Sequence, residues 1–149
     1  MRSNSVVPIA VLSQPSQLQV GRHEVTFTPP CIIGVTWVGD VSDDEARTVA
    51  TWYAPYAALT TSVWVTDLSR LGKMSFAASS ALGVGPPPGG PARRLRCGFA
   101  GANLRTRIVV QLVQALARYT TEDDLSAHFF ETMEQLQAWA HREAASVTS

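Results

Sequence analysis

Residues 31–66, CIIGVTWVGDVSDDEARTVATWYAPYAALTTSVWVT, carry the pattern that decides the fold. Cys31 to Val38 is an apolar run rich in β-branched residues, which suit a pleated and largely buried surface. Gly39 and Asp40 close it. Ser42 then stands where a helix N-cap belongs, with Glu45 three residues on, so Ser42-Asp43-Asp44-Glu45 reads as a capping box. The helix is expected to run to about Ala58 and to bury Ala46, Val49, Ala50, Tyr53 and Ala57, with Pro55 ending or kinking it early. Ser62 to Thr66, centred on Val63-Trp64-Val65, is a short apolar run of the kind found in a strand covered on both faces.

Outward from this strand–helix–strand unit the alternation continues. On its N-terminal side, His23 to Thr28 alternates polar and apolar residues, the period of a half-buried strand. Pro29-Pro30 breaks that strand, and the short turn predicts a hairpin with the run that follows. Residues 1–16, polar and containing Ser and Pro, read as a flexible leader before a single domain over 17–149. On the C-terminal side, Ser75 is placed to cap a helix over Phe76 to Leu82, and GVGPPPGGP (83–91) reads as a loop. Arg93 to Ala100 follows as a strand with a basic entry. Ala102 to Tyr119 is the clearest helix, with Ile108, Val109, Leu112, Val113 and Leu116 as its apolar stripe. Leu125 to Phe130 and Glu131 to Ala145 supply a last strand and a last helix. The expected architecture is α/β in the order β-β-α-β-α-β-α-β-α: about five strands and four helices, in a mixed, mostly parallel sheet with an antiparallel opening hairpin.

Composition narrows the function. Hydrophobic residues make up 46% of the 149, enough to bury a core, and the formal net charge is +0. That balance supplies no global field for nucleic acid or an anionic membrane. No run approaches the ~18 apolar residues of a membrane span. Val6 to Leu12 is interrupted by Pro8 and preceded by only Arg2, unlike a signal peptide, so the expectation is a cytoplasmic protein. Cys31 and Cys97 form no CxxC pair and read as reduced core thiols. His23, His128 and His141 lie singly, without ligand spacing, so no metal and no cofactor is expected. No Gly-x-Ser-x-Gly elbow, Gly-x-Gly-x-x-Gly fingerprint or P-loop occurs, and the expectation is a protein that is not an enzyme.

Three stretches carry a resemblance. Asp67-Leu68-Ser69 ends the third expected strand with a serine opening the next helix, an order that resembles the STAS fold of anti-sigma-factor antagonists. Gly101-Ala102-Asn103-Leu104-Arg105-Thr106-Arg107, and Phe129 through Trp139 with its Ala138-Trp139 ending, resemble the SpoIIAA-like (STAS/SEC14-like) branch of that superfamily. The resemblance covers about residues 20–145. It implies a non-catalytic domain that binds regulatory proteins or small ligands. In the anti-sigma antagonists a serine in an Asp-Ser-Ser-Gly stretch is phosphorylated to switch partner binding. Counted from Asp67, the Asp-Ser-Ser positions fall here on Ser75, Phe76 and Ala77, so Phe76 occupies the phosphorylated position and Ser75 precedes it.

The candidate site residues follow, each with a structural alternative. Asp67, Ser69, Ser75 and Phe76 are the candidate partner-binding or regulatory set. Asp67 and Ser69 equally suit a loop cap, and Ser75 a plain helix N-cap. Asn103, Arg105 and Arg107, at a helix start after a strand, are the candidate anion-binding set, against a solvated helix end. Arg93, Arg94 and Arg96 flank the glycine-proline loop as a partner contact or a charged edge. The four tryptophans read as core or interface packing. The leading expectation is a regulatory protein–protein interaction module centred on Asp67–Ser75. The alternatives are a carrier or sensor holding an apolar small molecule or lipid in a cleft, and a self-assembling structural subunit.

Overall fold

The computed structural model describes residues 12–75, 92–120 and 123–148. Six strands form one sheet in the order β1 (Ser16–Val20), β2 (His23–Thr28), β3 (Ile32–Val41), β4 (Thr61–Met74), β5 (Arg94–Ala100) and β6 (Asp124–Phe130). The first three are antiparallel, and β3 to β6 are parallel. Three helices are described: α1 (Asp43–Ala57), α2 (Leu104–Thr120) and α3 (Met133–Thr148). The α/β class, the parallel body and the antiparallel opening are as expected, but the counts differ. A sixth strand, β1, begins where the flexible leader was expected to end and adds a second antiparallel pair. The helix expected over Phe76–Leu82 lies outside the described residues, as does Phe76 itself.

Local chemistry explains α1. The Glu45 N–H donates to Ser42 Oγ at 3.1 Å and the Ser42 N–H donates to Glu45 Oε1 at 3.0 Å, completing the capping box. These bonds to Ser42 hold the Glu45 carboxyl below its ordinary range. Pro55 falls in the last turn and the helix continues to Ala57, rather than kinking earlier. Buried His23 joins this end of the helix to the sheet: its Nδ1 accepts the Val38 N–H at 3.0 Å while Nε2 stands 3.5 Å from Glu45 Oε1.

The steps β3–α1–β4 and β5–α2–β6 advance in the same direction across the sheet. Right-handed crossovers therefore put α1 and α2 on one face. On that face Ala46, Val49, Tyr53, Tyr56 and Ala57 of α1 pack on Val25, Phe27, Ile33, Val35 and Trp37. The opposite face carries α3, whose Leu136, Trp139, Ala140 and Ala144 cover Ile32, Val63, Val65 and Ala100. Gly98 allows this close approach, since a Cβ there would collide with Leu136 and Trp139.

One polar pair ties three elements together. Arg93 is 3% exposed, and its Nη2 donates to Asp123 Oδ2 at 2.7 Å while its backbone N–H donates to Oδ1 at 2.8 Å. Its Nη1 donates to Ala57 O at 2.9 Å, so the guanidinium also satisfies a carbonyl at the C-terminal end of α1. Burial alone would raise the Asp123 carboxyl, but the hydrogen bonds and charge of Arg93 outweigh it and hold the group below the usual range. Arg94 and Arg96 lie beside Asp124, at 3.8 and 2.9 Å. The basic entry to β5 is thus paired with the start of β6.

Of the apolar stripe expected on α2, the described side chains of Ile108, Val109 and Leu112 are not buried. Ile108 and Val109 are about half exposed, and Leu104 and Leu112 are 75% and 65% exposed. The helix turns Thr106, Arg107 and Val110 toward the protein instead, and the Arg107 guanidinium lies 5.3 Å over the Phe129 ring. Truncation separates the two orientations. Leu136→Ala, at a fully buried position, should lower the free energy of unfolding in urea by about 2–5 kcal/mol. Leu112→Ala should change it by less than about 0.5 kcal/mol.

Candidate functional site

β4 runs far beyond its expected end at Thr66. Asp67 to Met74, read from sequence as a loop and helix cap, continue the strand because β4 carries two bulges. Thr36 pairs with Asp67 and Val38 with Arg70, then Gly39 with Leu71 and Val41 with Met74, so each interval holds one residue more on β4 than on β3. A bulge leaves backbone donors outside the ladder, and aspartates take them. Asp67 Oδ1 accepts the Ser69 N–H at 3.0 Å and the Ser69 hydroxyl at 2.6 Å. Asp40 Oδ1 accepts the Lys73 N–H at 2.7 Å.

This settles where the first candidate set lies. Asp67 is buried and bonded within its own strand. Ser69 packs against Gly101, whose φ of +73° opens the turn into α2. A Cβ on Gly101 would stand 2.6 Å from Ser69 Cα. Ser75 donates from Oγ to Asp43 Oδ1 at 2.6 Å, joining the end of β4 to the first turn of α1. The geometry of Asp67 and Ser69 matches the structural alternative, a side chain serving nearby backbone.

The anion-binding candidates divide. Asn103 caps α2, its Oδ1 accepting the Thr106 N–H at 2.8 Å. Arg107 points to the sheet, with Nε donating to Ala102 O at 3.2 Å and its plane over Phe129. Asn103 and Arg105 instead line a cleft of about 580 Å³ between α1 and α2.

The volume of the cleft falls in the range of small-molecule sites, about 300–1,000 Å³. Strand register builds its floor. Trp64 pairs with Cys97, and Thr66 lies between Val35 on β3 and Phe99 on β5, so these side chains share one face. Tyr53 comes down from α1, its ring 4.9 Å from Trp64 at 90°. Val109 and Val110 form the α2 wall. The bulged end of β4 completes the rim with Leu71, Lys73 and Met74. Burial pushes the Cys97 thiol up to about 12, against the opposing charge of Arg96. At neutral pH it is therefore a protonated, apolar part of the wall. Burial likewise raises the Tyr53 hydroxyl.

From the sequence, Trp37 and Trp64 read as packing, and Tyr53, Phe99 and Lys73 do not stand out as site residues. The usable signal was the period-2 placement of Trp64 and Thr66 beside Cys97 and Phe99, which puts all four on one sheet face. Lys73 had no such signal, because its place depends on the second bulge. Among the described residues no cluster of three or more His, Cys, Asp or Glu side chains could hold a metal ion, and no helix is long and apolar enough to cross a membrane. Comparison of the chain with family models, curated proteins and solved structures found no match.

The structural role of Asp67 has a direct consequence. Asp67→Ala leaves the Ser69 N–H without its acceptor and should destabilise the fold by about 1–3 kcal/mol. Asp67→Asn keeps an oxygen in place and should recover most of that loss. Paired chemical-denaturation curves measure both.

Proposed function

We propose that this chain is a binding domain of the STAS/SpoIIAA-like kind that holds an apolar small molecule or lipid, acting as a carrier or sensor rather than by catalysis. The observation that carries the reading is the cleft of about 580 Å³ with an aromatic and aliphatic wall. Interiors are otherwise packed to crystal-like density, and an apolar cleft of this size leaves dispersion contacts unmade that an apolar ligand would restore. The Cys97 thiol, held protonated, is a poor nucleophile, in keeping with a binding role.

A second reading, a regulatory module that binds another protein, has support of a different kind. The Leu104, Ile108 and Leu112 side chains form an exposed row at i, i+4 and i+8 on α2. The exposed Arg105 lies on the same helix, whose sequence has no acidic residue, which suits an apolar partner surface rimmed with carboxylates. This surface differs from the Asp67–Ser75 region expected from sequence, whose polar groups are bonded within the fold.

Native mass spectrometry of the purified chain reads both. The carrier reading predicts an added mass on the order of a few hundred daltons, lost on denaturation. A clean mass for the bare chain would count against it. A discrete heavier complex with a second protein, in place of the small adduct, would favour the module.

A further inference from the structure

The rim of the cleft differs from its floor in charge. Its cationic residues are Lys73, on the second bulge of β4, and Arg105, in the first turn of α2, with Asn103 and Thr106 next to Arg105 along the chain. No Asp or Glu is present among the described lining residues. Several arginines outside the cleft are ion-paired. Arg47 is paired with Asp44, Arg93 with Asp123, and Arg96 with Asp124, whereas neither the Lys73 nor the Arg105 side chain takes part in an ion pair among the described residues. The start of α2 adds to the excess. α1 has Asp43, Asp44 and Glu45 in its first turn, but α2 has no acidic residue there and is capped by the neutral Asn103 side chain, so no negative side chain of its own offsets the positive end of its dipole.

From these features we propose that Lys73 and Arg105 form an anion-recognising end of the cleft, and that its ligand is a single-chain amphiphile with a carboxylate or phosphate head. The chain would lie against Trp64, Phe99 and Val109, with the head at the solvent-facing rim that Lys73 and Arg105, from distant parts of the sequence, both line. Arginine presents a planar fork to either head group, and lysine adds a point charge. The proposal rests on the cleft reading above and goes further by naming the head group and the residues that select it.

The test uses the full chain and three probes of equal chain length, dodecanoate, dodecyl phosphate and dodecanol, titrated calorimetrically below their micellar concentrations. The two anions should bind roughly five- to tenfold more tightly than the alcohol at low salt, as expected for two solvent-screened contacts. Added salt should erode that preference without changing the alcohol's affinity. The double variant Lys73→Gln/Arg105→Gln should bind all three probes like the alcohol. Both side chains are exposed, so the variant is expected to remain folded, and its thermal unfolding provides the control. The tighter of the two anions identifies the head. Equal binding of alcohol and anions, unchanged in the variant, would overturn the head-group assignment and leave the cleft reading intact. Failure of all three probes to bind would overturn the cleft reading as well.

Discussion

The structure depends on the way β4 keeps its hydrogen bonds through two bulges. A strand of 14 residues beside a partner of 10 stays in register only if the extra backbone donors find acceptors. Asp67 and Asp40 supply them from side-chain oxygens at 3.0 and 2.7 Å. From that follow the packing of Gly101 on Ser69, the bond from Ser75 to Asp43, and the position of Lys73. Without the bulges the chain would leave the sheet near Thr66, and the cleft would lose the wall that Leu71, Lys73 and Met74 provide.

The two faces of the sheet are packed differently. Under α3, glycine at position 98 lets Leu136 and Trp139 settle directly on the strands, and the Phe130 ring lies 5.5 Å from the Trp139 ring. Under α1 and α2 the sheet presents Trp64, Cys97 and Phe99 to a space that the described side chains do not fill. The second face has apolar surface left to offer, and its cationic rim gives that surface a direction. The outward row of Leu104, Ile108 and Leu112 faces away from both.

Much of the fold was legible in the residues. Ser42 and Glu45 announced α1, the Pro29-Pro30 break announced the turn before β3, and the alternation of strands and helices announced the parallel body. β1 was passed over although Ser16-Gln17-Leu18-Gln19-Val20 alternates, because a polar edge strand looks like the leader that precedes it. The end of β4 was illegible for a physical reason: Asp, Ser, Gly and Lys are ordinary loop residues, and only a partner strand 31 to 33 residues away makes them a bulged strand. α2 was legible as a helix but not in its orientation, since a stripe of Ile, Val and Leu identifies an apolar face without saying what covers it. In the candidate site, Asn103 and Arg105 stand at a helix start that the sequence marks, whereas the cleft needs the sheet register to bring Tyr53, Trp64 and Phe99 together. Asp67 and Ser69 were noticed for the right position and belong to the architecture.

The central claim is that the space between α1 and α2 is a ligand site. Two-dimensional NMR of the labelled chain, with a long-chain probe titrated in, tests it most directly. The account predicts shifts concentrated in the indole and amide signals of Trp37 and Trp64 and the amides of Tyr53, Phe99 and Val109, with the α3 face around Leu136 and Trp139 unchanged. Shifts confined to the outer row of α2, or spread evenly over the surface, would contradict it.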